Sequence, residues 1–233
     1  MAQGFLLGSA ILASLYPSAV QSGKPDSAYL ATGSIAFDPA ARHHQQLSLQ
    51  RVADFGSESP SSDARSVANW IARVDDSRGE AFVVIDKKLA HLYVFNAQAQ
   101  LQASSPVLLG AALGDESVPG IGDRPIDRVL PHERTTPAGR FVGERGRNAR
   151  GEDVVWVDYD AAVSMHRVVT SNAAEHRLER LATPSVSDNR ISYGCINVPT
   201  AFYDLYIRPT FATRWAVIYV LPDVEPIRQF FGV

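Results

Sequence analysis

Two short apolar runs between residues 81 and 95 constrain the fold more than any other feature of the sequence. Ala81-Phe82-Val83-Val84-Ile85-Asp86 is rich in β-branched and aromatic side chains and too short for a stable helix. Leu89 to Phe95 follows, with Asp86-Lys87-Lys88 at the turn, and the pair reads as a β-hairpin. A third strand is expected over Leu101 to Leu109, ending at Gly110, with one or two more between Val154 and His166. A last one covers Trp215 to Leu221 and is stopped by Pro222. Helices are fewer. Ala64 to Arg73 is expected to be helical with Asp63 as N-cap, and Ala173 to Leu181 with Asn172 as N-cap. Another is expected from Thr200 to Ile207, with Pro209 close behind. The pattern predicts a mainly β or α+β domain. Repeated βαβ alternation, the mark of a doubly wound sheet, is absent.

The 233 residues suit one domain plus extensions, and 45% apolar residues suffice for a core. A net charge of −3 gives no basic field for nucleic acid, so no nucleic-acid partner is expected. Residues 4–20 are uncharged and hold an apolar core, with Pro17-Ser18-Ala19-Val20 after it, but no Lys or Arg precedes Lys24. Residues 1–22 are therefore read as a signal peptide, with a membrane tether as the alternative, and export to the periplasm or cell envelope is expected. Residues 23–78 read as a polar linker carrying the short helix, 79–222 as the folded domain and 223–233 as a tail.

The chain has one cysteine, Cys195, so an internal disulfide is impossible. A lone cysteine is commonly a small core residue. Its setting here, Ser192-Tyr193-Gly194-Cys195-Ile196-Asn197, reads as a junction between a polar loop and a helix, where free backbone N–H groups stabilise thiolate. Gly194 allows a tight turn. The N–H groups of Tyr193, Gly194 and Cys195 are then placed to converge on an oxyanion, and Asn197 to cap the helix. These features read as acyl transfer through a thioester.

The same segment resembles the signature of the L,D-transpeptidase catalytic domain, the YkuD-like family of bacterial cell-wall enzymes. Five of six positions agree with Ser/Thr-His-Gly-Cys-apolar-Asn, and Tyr193 stands where the family has His. Upstream, Phe82 to Asp86 with His91 to Phe95, Pro106-Val107 to Gly110, and Thr136-Pro137-Ala138-Gly139-Arg140-Phe141 resemble further family segments in the same order. The resemblance implies a β-sandwich-type catalytic domain with a few short helices. It also implies that the cysteine attacks a peptidoglycan tetrapeptide stem, expels the terminal D-Ala and passes the acyl group to an amine of a second stem. Carbapenems acylate the cysteine of this family, so inhibition by them is expected as well.

Such a cysteine needs a base. His176 lies 19 positions before Cys195, which fits the family spacer, and His166 lies 29 before. His166 ends an apparent strand, the family setting for the base, whereas His176 sits between Glu175 and Arg177 on a polar helix. His166 is the preferred base and His176 the alternative. His43 and His44 fall in the linker, His91 mid-strand and His132 in a polar loop. Tyr193 keeps a ring and a hydrogen-bonding tip but cannot act as a base at neutral pH. Ser192 either orients the base, caps backbone or has a merely structural role in the turn. Arg190 either holds a substrate carboxylate or anchors its loop. The Arg-rich stretch from Asp123 to Arg150 is a substrate-covering lid or a solvated loop.

Three function classes follow. The first is an exported L,D-transpeptidase, with an L,D-carboxypeptidase as the variant that uses water as acceptor. The second is a non-catalytic wall-binding module on the same fold, suggested by Tyr193. The third, a metal-dependent peptidase, is disfavoured: His132-Glu133 has no second His at the spacing of His-Glu-x-x-His. No cofactor and no metal are expected.

Overall fold

The computed structural model describes residues 51–212 and 214–233, and the signal-peptide reading and the pair His43 and His44 lie outside them. The domain is mainly β with few, short helices. Among the described residues ten strands run in chain order: β1 (Phe82–Asp86), β2 (His91–Phe95), β3 (Leu101–Pro106), β4 (Leu109–Gly110), β5 (Gly139–Arg147), β6 (Asp153–Asp158), β7 (Val163–Arg167), β8 (Arg190–Ser192), β9 (Ile196–Val198) and β10 (Ala216–Val220). Eight form one sheet in the order β3-β2-β1-β10-β5-β6-β7-β9, and β4 pairs with β8. Two pairs within the large sheet are parallel, β1 with β10 and β7 with β9.

β1 and β10 are buried at every position, and apolar throughout except for Asp86 at the end of β1 and the hydroxyl of Tyr219, because both sheet faces are covered. Val83, Ile85, Ile218 and Val220 face a core completed by Tyr203, Ile207 and Phe211. Phe82, Val84, Val217 and Tyr219 face a second core. Helix α1 (Ser62–Val74) closes that second core with Ala64, Val67, Ala68, Ile71 and Ala72, spaced to share one face. Its N-cap is Ser61, whose hydroxyl accepts from the Ala64 amide at 3.0 Å; the expected cap, Asp63, lies inside the first turn.

The domain boundaries differ from the sequence reading at both ends. Ala53, Phe55 and α1 belong to the second core, so the described part of the 23–78 segment is packed structure from residue 53 onward. Phe231 is buried in the same core, and Asp115 accepts hydrogen bonds from the amides of Asp223, Val224 and Glu225. The expected tail is therefore integral to the fold. Both differences have one cause: the apolar residues of these segments show no sustained period, and they find a shared surface only in the tertiary structure.

Further differences concern the middle of the chain. The third expected strand breaks into β3 and β4. The Asp123–Arg150 stretch is three short 3₁₀ turns followed by β5, which lies inside the sheet between β10 and β6. The strand is hidden in the sequence by Gly143 and Gly146; a Cβ on Gly146 would strike the Trp156 indole, which lies across it. The 173–181 helix splits into a 3₁₀ turn, Ala173–Glu175, and α2 (Arg177–Ala182), with His176 left-handed between them at φ 49°. The last helix continues beyond Ile207 through a π-helical turn, Tyr203–Ile207, to Thr210, and Pro209 sits in its final turn.

The substitution Ile71→Ala, at a side chain 1% exposed on α1, is expected to destabilise the domain by about 2–4 kcal/mol in chemical denaturation. A loss well below ~1 kcal/mol would show that α1 is not part of the cooperative unit.

Candidate active site

Pairing of β7 with β9 assembles the site. The parallel register sets Met165 opposite Ile196 and His166 opposite Asn197, so the residue just before β9, Cys195, is brought beside His166. Ser164, on the same strand, places its Oγ 3.7 Å from Cys195 Sγ, and the Ala162 carbonyl accepts from the thiol at the same distance. The His166 Nδ1 lies 2.7 Å from the Arg167 carbonyl. A carbonyl only accepts, so Nδ1 carries the proton, and Nε2 is left to exchange protons with the thiol and substrate.

The pair shifts both groups toward their charged forms. Burial pushes the Cys195 pKa up, but hydrogen bonding and the charge of His166, aided by Ser164, outweigh it and hold the thiol below its ordinary value. Burial pushes His166 down, but Cys195 and the Arg167 carbonyl outweigh it and raise the imidazole, against opposition from the Arg177 charge. A half-buried thiol favoured as thiolate beside an imidazole favoured as imidazolium has the charge arrangement that a cysteine nucleophile and its proton donor require.

The turn holding the cysteine corrects the helix-junction reading. Cys195 leads into strand β9, so no helix terminus acts on its sulfur. The turn is fixed by side chains instead. Ser192 Oγ donates to the Cys195 carbonyl at 2.6 Å and accepts from the Gly194 amide at 3.1 Å. Thr136 Oγ1 donates to the Gly194 carbonyl at 2.8 Å and accepts from the Gly110 amide at 2.9 Å. Gly194 has φ +128°, and a Cβ there would meet the Thr135 carbonyl at 2.7 Å. The Gly194 N–H is thus committed to Ser192 and is not free for an oxyanion. Ser192 has the turn-forming role. Asn197 lies in β9 and caps no helix; its amide nitrogen donates to the Cys195 carbonyl at 3.3 Å, and its oxygen accepts from Arg177 at 2.6 Å.

Arg190 anchors its loop. Its guanidinium grips Asp223 at 2.6 and 3.0 Å and donates to the Lys87 carbonyl at 2.7 Å, with 9% of the side chain exposed. A group so occupied is not offered to a substrate carboxylate. Lys87, fully buried, completes the cluster by donating to the Gly114 and Thr136 carbonyls at 2.6 and 2.7 Å and to Asp115 at 2.9 Å. Burial lowers the Lys87 pKa, partly offset by Asp223 and Asp115.

His176 is kept apart from the cysteine. Its side chain is 68% exposed and lies 3.8 Å from Glu179. Its neighbour Arg177 turns inward instead, bonding Asn197 and Glu175 on the wall of the groove that holds Cys195 and His166. Sequence reading missed Ser164, Thr136, Trp156 and Arg177. Only Thr136 carried a signal, inside the Thr-Pro-x-Gly segment.

Tyr193 is 37% exposed and lines the groove, with the Arg134 guanidinium 4.0 Å from its ring centroid. Ile126, Trp156 and the Asn148–Glu152 hairpin tip form other parts of the wall. His91 is half-buried on β2 with its ring tilted 46° against that of Tyr93, and His132 is exposed in a 3₁₀ turn. Among the described residues, no group of three potential metal ligands converges, and no helix is long and apolar enough to cross a membrane.

No family model matches the sequence, and no curated protein matches it. Solved structures do show similarity. An Enterococcus faecium L,D-transpeptidase is 14% identical over 61% of this chain and 50% of that one, with a TM-score of 0.33. The helical cell shape determining protein of Campylobacter jejuni is 14% identical over 68% and 55%, with a TM-score of 0.43. An L,D-transpeptidase from Mycobacterium smegmatis is 14% identical over 60% and 58%, with a TM-score of 0.35. The chain spans between half and three fifths of the length of these three proteins.

The coupling of Cys195 and His166 has a measurable pH signature. The apparent pKa for alkylation of Cys195 by iodoacetamide is expected below the ordinary thiol value of about 8.5. In His166→Ala, burial is opposed only by the smaller effect of the Ser164 hydrogen bonds, and that pKa is expected to rise to or above the ordinary value. An unchanged alkylation profile would show that His166 does not tune the thiol.

Proposed function

We propose that the protein is an exported cysteine acyltransferase of the L,D-transpeptidase kind, acting on peptidoglycan stem peptides. The observation that carries this reading is the Cys195–His166 pair, held by β7 and β9 on the wall of an open groove of about 490 Å³. The motif resemblance around Ser192–Asn197 supplies the substrate class; the pair supplies the chemistry.

The proposed reaction uses the pair as nucleophile and proton carrier. Cys195 thiolate attacks the stem carbonyl, and the carbonyl electrons move to oxygen. Among the described residues the Tyr193 and Cys195 amides donate to no other group, so they are the donors available to that oxygen. Collapse of the intermediate breaks the peptide bond. His166 Nε2–H protonates the departing D-Ala nitrogen, leaving a thioester on Cys195 and a neutral imidazole. An acceptor amine then attacks the thioester, His166 Nε2 takes its proton, and Cys195 leaves as thiolate with a new amide bond formed, which restores the starting thiolate–imidazolium pair. Tyr193 takes no proton in this scheme. Its ring, backed by Arg134, forms part of the substrate wall.

Incubation of the full chain with disaccharide tetrapeptide is expected to release D-Ala and yield cross-linked dimers, resolved by mass spectrometry. His166→Ala is expected to reduce the rate by about 10²–10⁴-fold. Trimmed monomers without dimers would replace the transpeptidase reading with the carboxypeptidase one. No product, together with no carbapenem adduct on Cys195, would leave only the wall-binding reading.

A further inference from the structure

The tip of the β5–β6 hairpin is an exposed turn with an unusual amount of internal bracing. Asn148 Oδ1 accepts from the amides of both Arg150 and Glu152 at 3.0 Å, and the Asn148 amide donates to the Glu152 carbonyl at 3.0 Å. Arg147 donates to the Gly151 carbonyl at 2.6 Å. Asn148 Nδ2 also donates to Glu152 Oε2 at 2.7 Å, which fixes one carboxylate oxygen and leaves the other open. The tip therefore presents two opposite charges from a held backbone.

Both charges lie where a substrate would pass. Two hollows flank His166, one containing Cys195 and the other running along Val168 to Ser171, and Arg150 and Glu152 line both. The other charged side chains of these walls are neutralised nearby. Arg177 pairs with Glu175, Asp153 with Arg145, and Arg167 with Asp204. Among the described residues neither Arg150 nor Glu152 has an ion partner. A guanidinium and a carboxylate two residues apart, beside the imidazole that must deprotonate an incoming amine, match a ligand carrying an ammonium and a carboxylate together.

We infer that Arg150 and Glu152 form the acceptor-recognition site, binding the zwitterionic amino-acid end of the acceptor, with Arg150 on its carboxylate and Glu152 on its ammonium, whose first proton passes to Glu152 so that the freed amine attacks the thioester and His166 takes the second. The inference rests on the acyltransfer reading and names its specificity-determining residues. It separates this enzyme from one that uses any primary amine, because an acceptor whose carboxylate is masked loses the Arg150 contact.

The test uses the full chain, the tetrapeptide donor and two small acceptors, D-methionine and D-methioninamide, which differ only in the carboxylate. Wild type is expected to show a KM for D-methionine about tenfold or more below that for the amide. Arg150→Gln is expected to abolish that ratio by raising the KM of the free acid. Glu152→Gln is expected to weaken both acceptors together and to keep the ratio. Binding of the two compounds to Cys195→Ala, followed by NMR titration, reads the same preference without turnover. Equal use and equal binding of the two acceptors by wild type, or a preference that survives in Arg150→Gln, would overturn the inference. Absence of any acyl-enzyme in wild type by intact mass would instead overturn the acyltransfer reading. The titration arm would still decide whether the hairpin tip binds a zwitterion.

Discussion

The site depends on one parallel strand pairing. β7 and β9 lie far apart in sequence, and their register alone sets His166 against Asn197 and so brings Cys195 to the imidazole. A slip of one residue would turn every side chain of β9 to the opposite face. That register is pinned from the other side as well, because Leu108 and Asn197 exchange backbone hydrogen bonds at 2.8 and 2.9 Å. The buried residues Met165, Ile196 and Val198 fix the same alignment through the core.

A second layer of interactions holds the turn in which the sulfur sits. The buried cluster of Lys87, Asp115, Asp223 and Arg190 ties the β1–β2 turn, the chain before β5 and the C-terminal segment to one another. Lys87 holds the Thr136 carbonyl while the Thr136 hydroxyl holds Gly194. Buried charges of this kind contribute little net stability, but losing one partner is costly because the other is stranded. The cluster thereby makes the position of the cysteine turn an all-or-none property of the fold. The role of the C-terminal residues follows from it: Asp223 belongs to the cluster, and the amides from 223 to 225 cap Asp115.

Local patterns in the sequence made part of this legible. β1, β2 and β10 announce themselves by short apolar runs, and the Ser-Tyr-Gly-Cys-Ile-Asn segment marks the candidate nucleophile. What stayed hidden depends on contacts distant in sequence. β5 reads as a loop because its glycines make room for neighbours such as Trp156, which no local pattern shows. The cysteine reads as a helix-junction residue because Pro199 and the helix behind it follow within a few positions, yet three residues of strand intervene. The histidine question turns on backbone conformation. The left-handed bend at His176 points its ring to solvent and sends Arg177 inward, so a spacing count selects a residue whose neighbour reaches the groove.

The central claim is that Cys195 and His166 form a coupled thiolate–imidazolium pair. NMR titration of histidine-labelled protein tests it most directly, because the coupling is reciprocal. The His166 imidazole is expected to titrate above its ordinary value of about 6.5, with the proton of the neutral ring on Nδ1. The same resonance is expected to titrate lower in Cys195→Ala, where burial acts without the thiolate. A His166 pKa at or below the ordinary value in the wild type, unmoved by removal of the sulfur, would contradict the account.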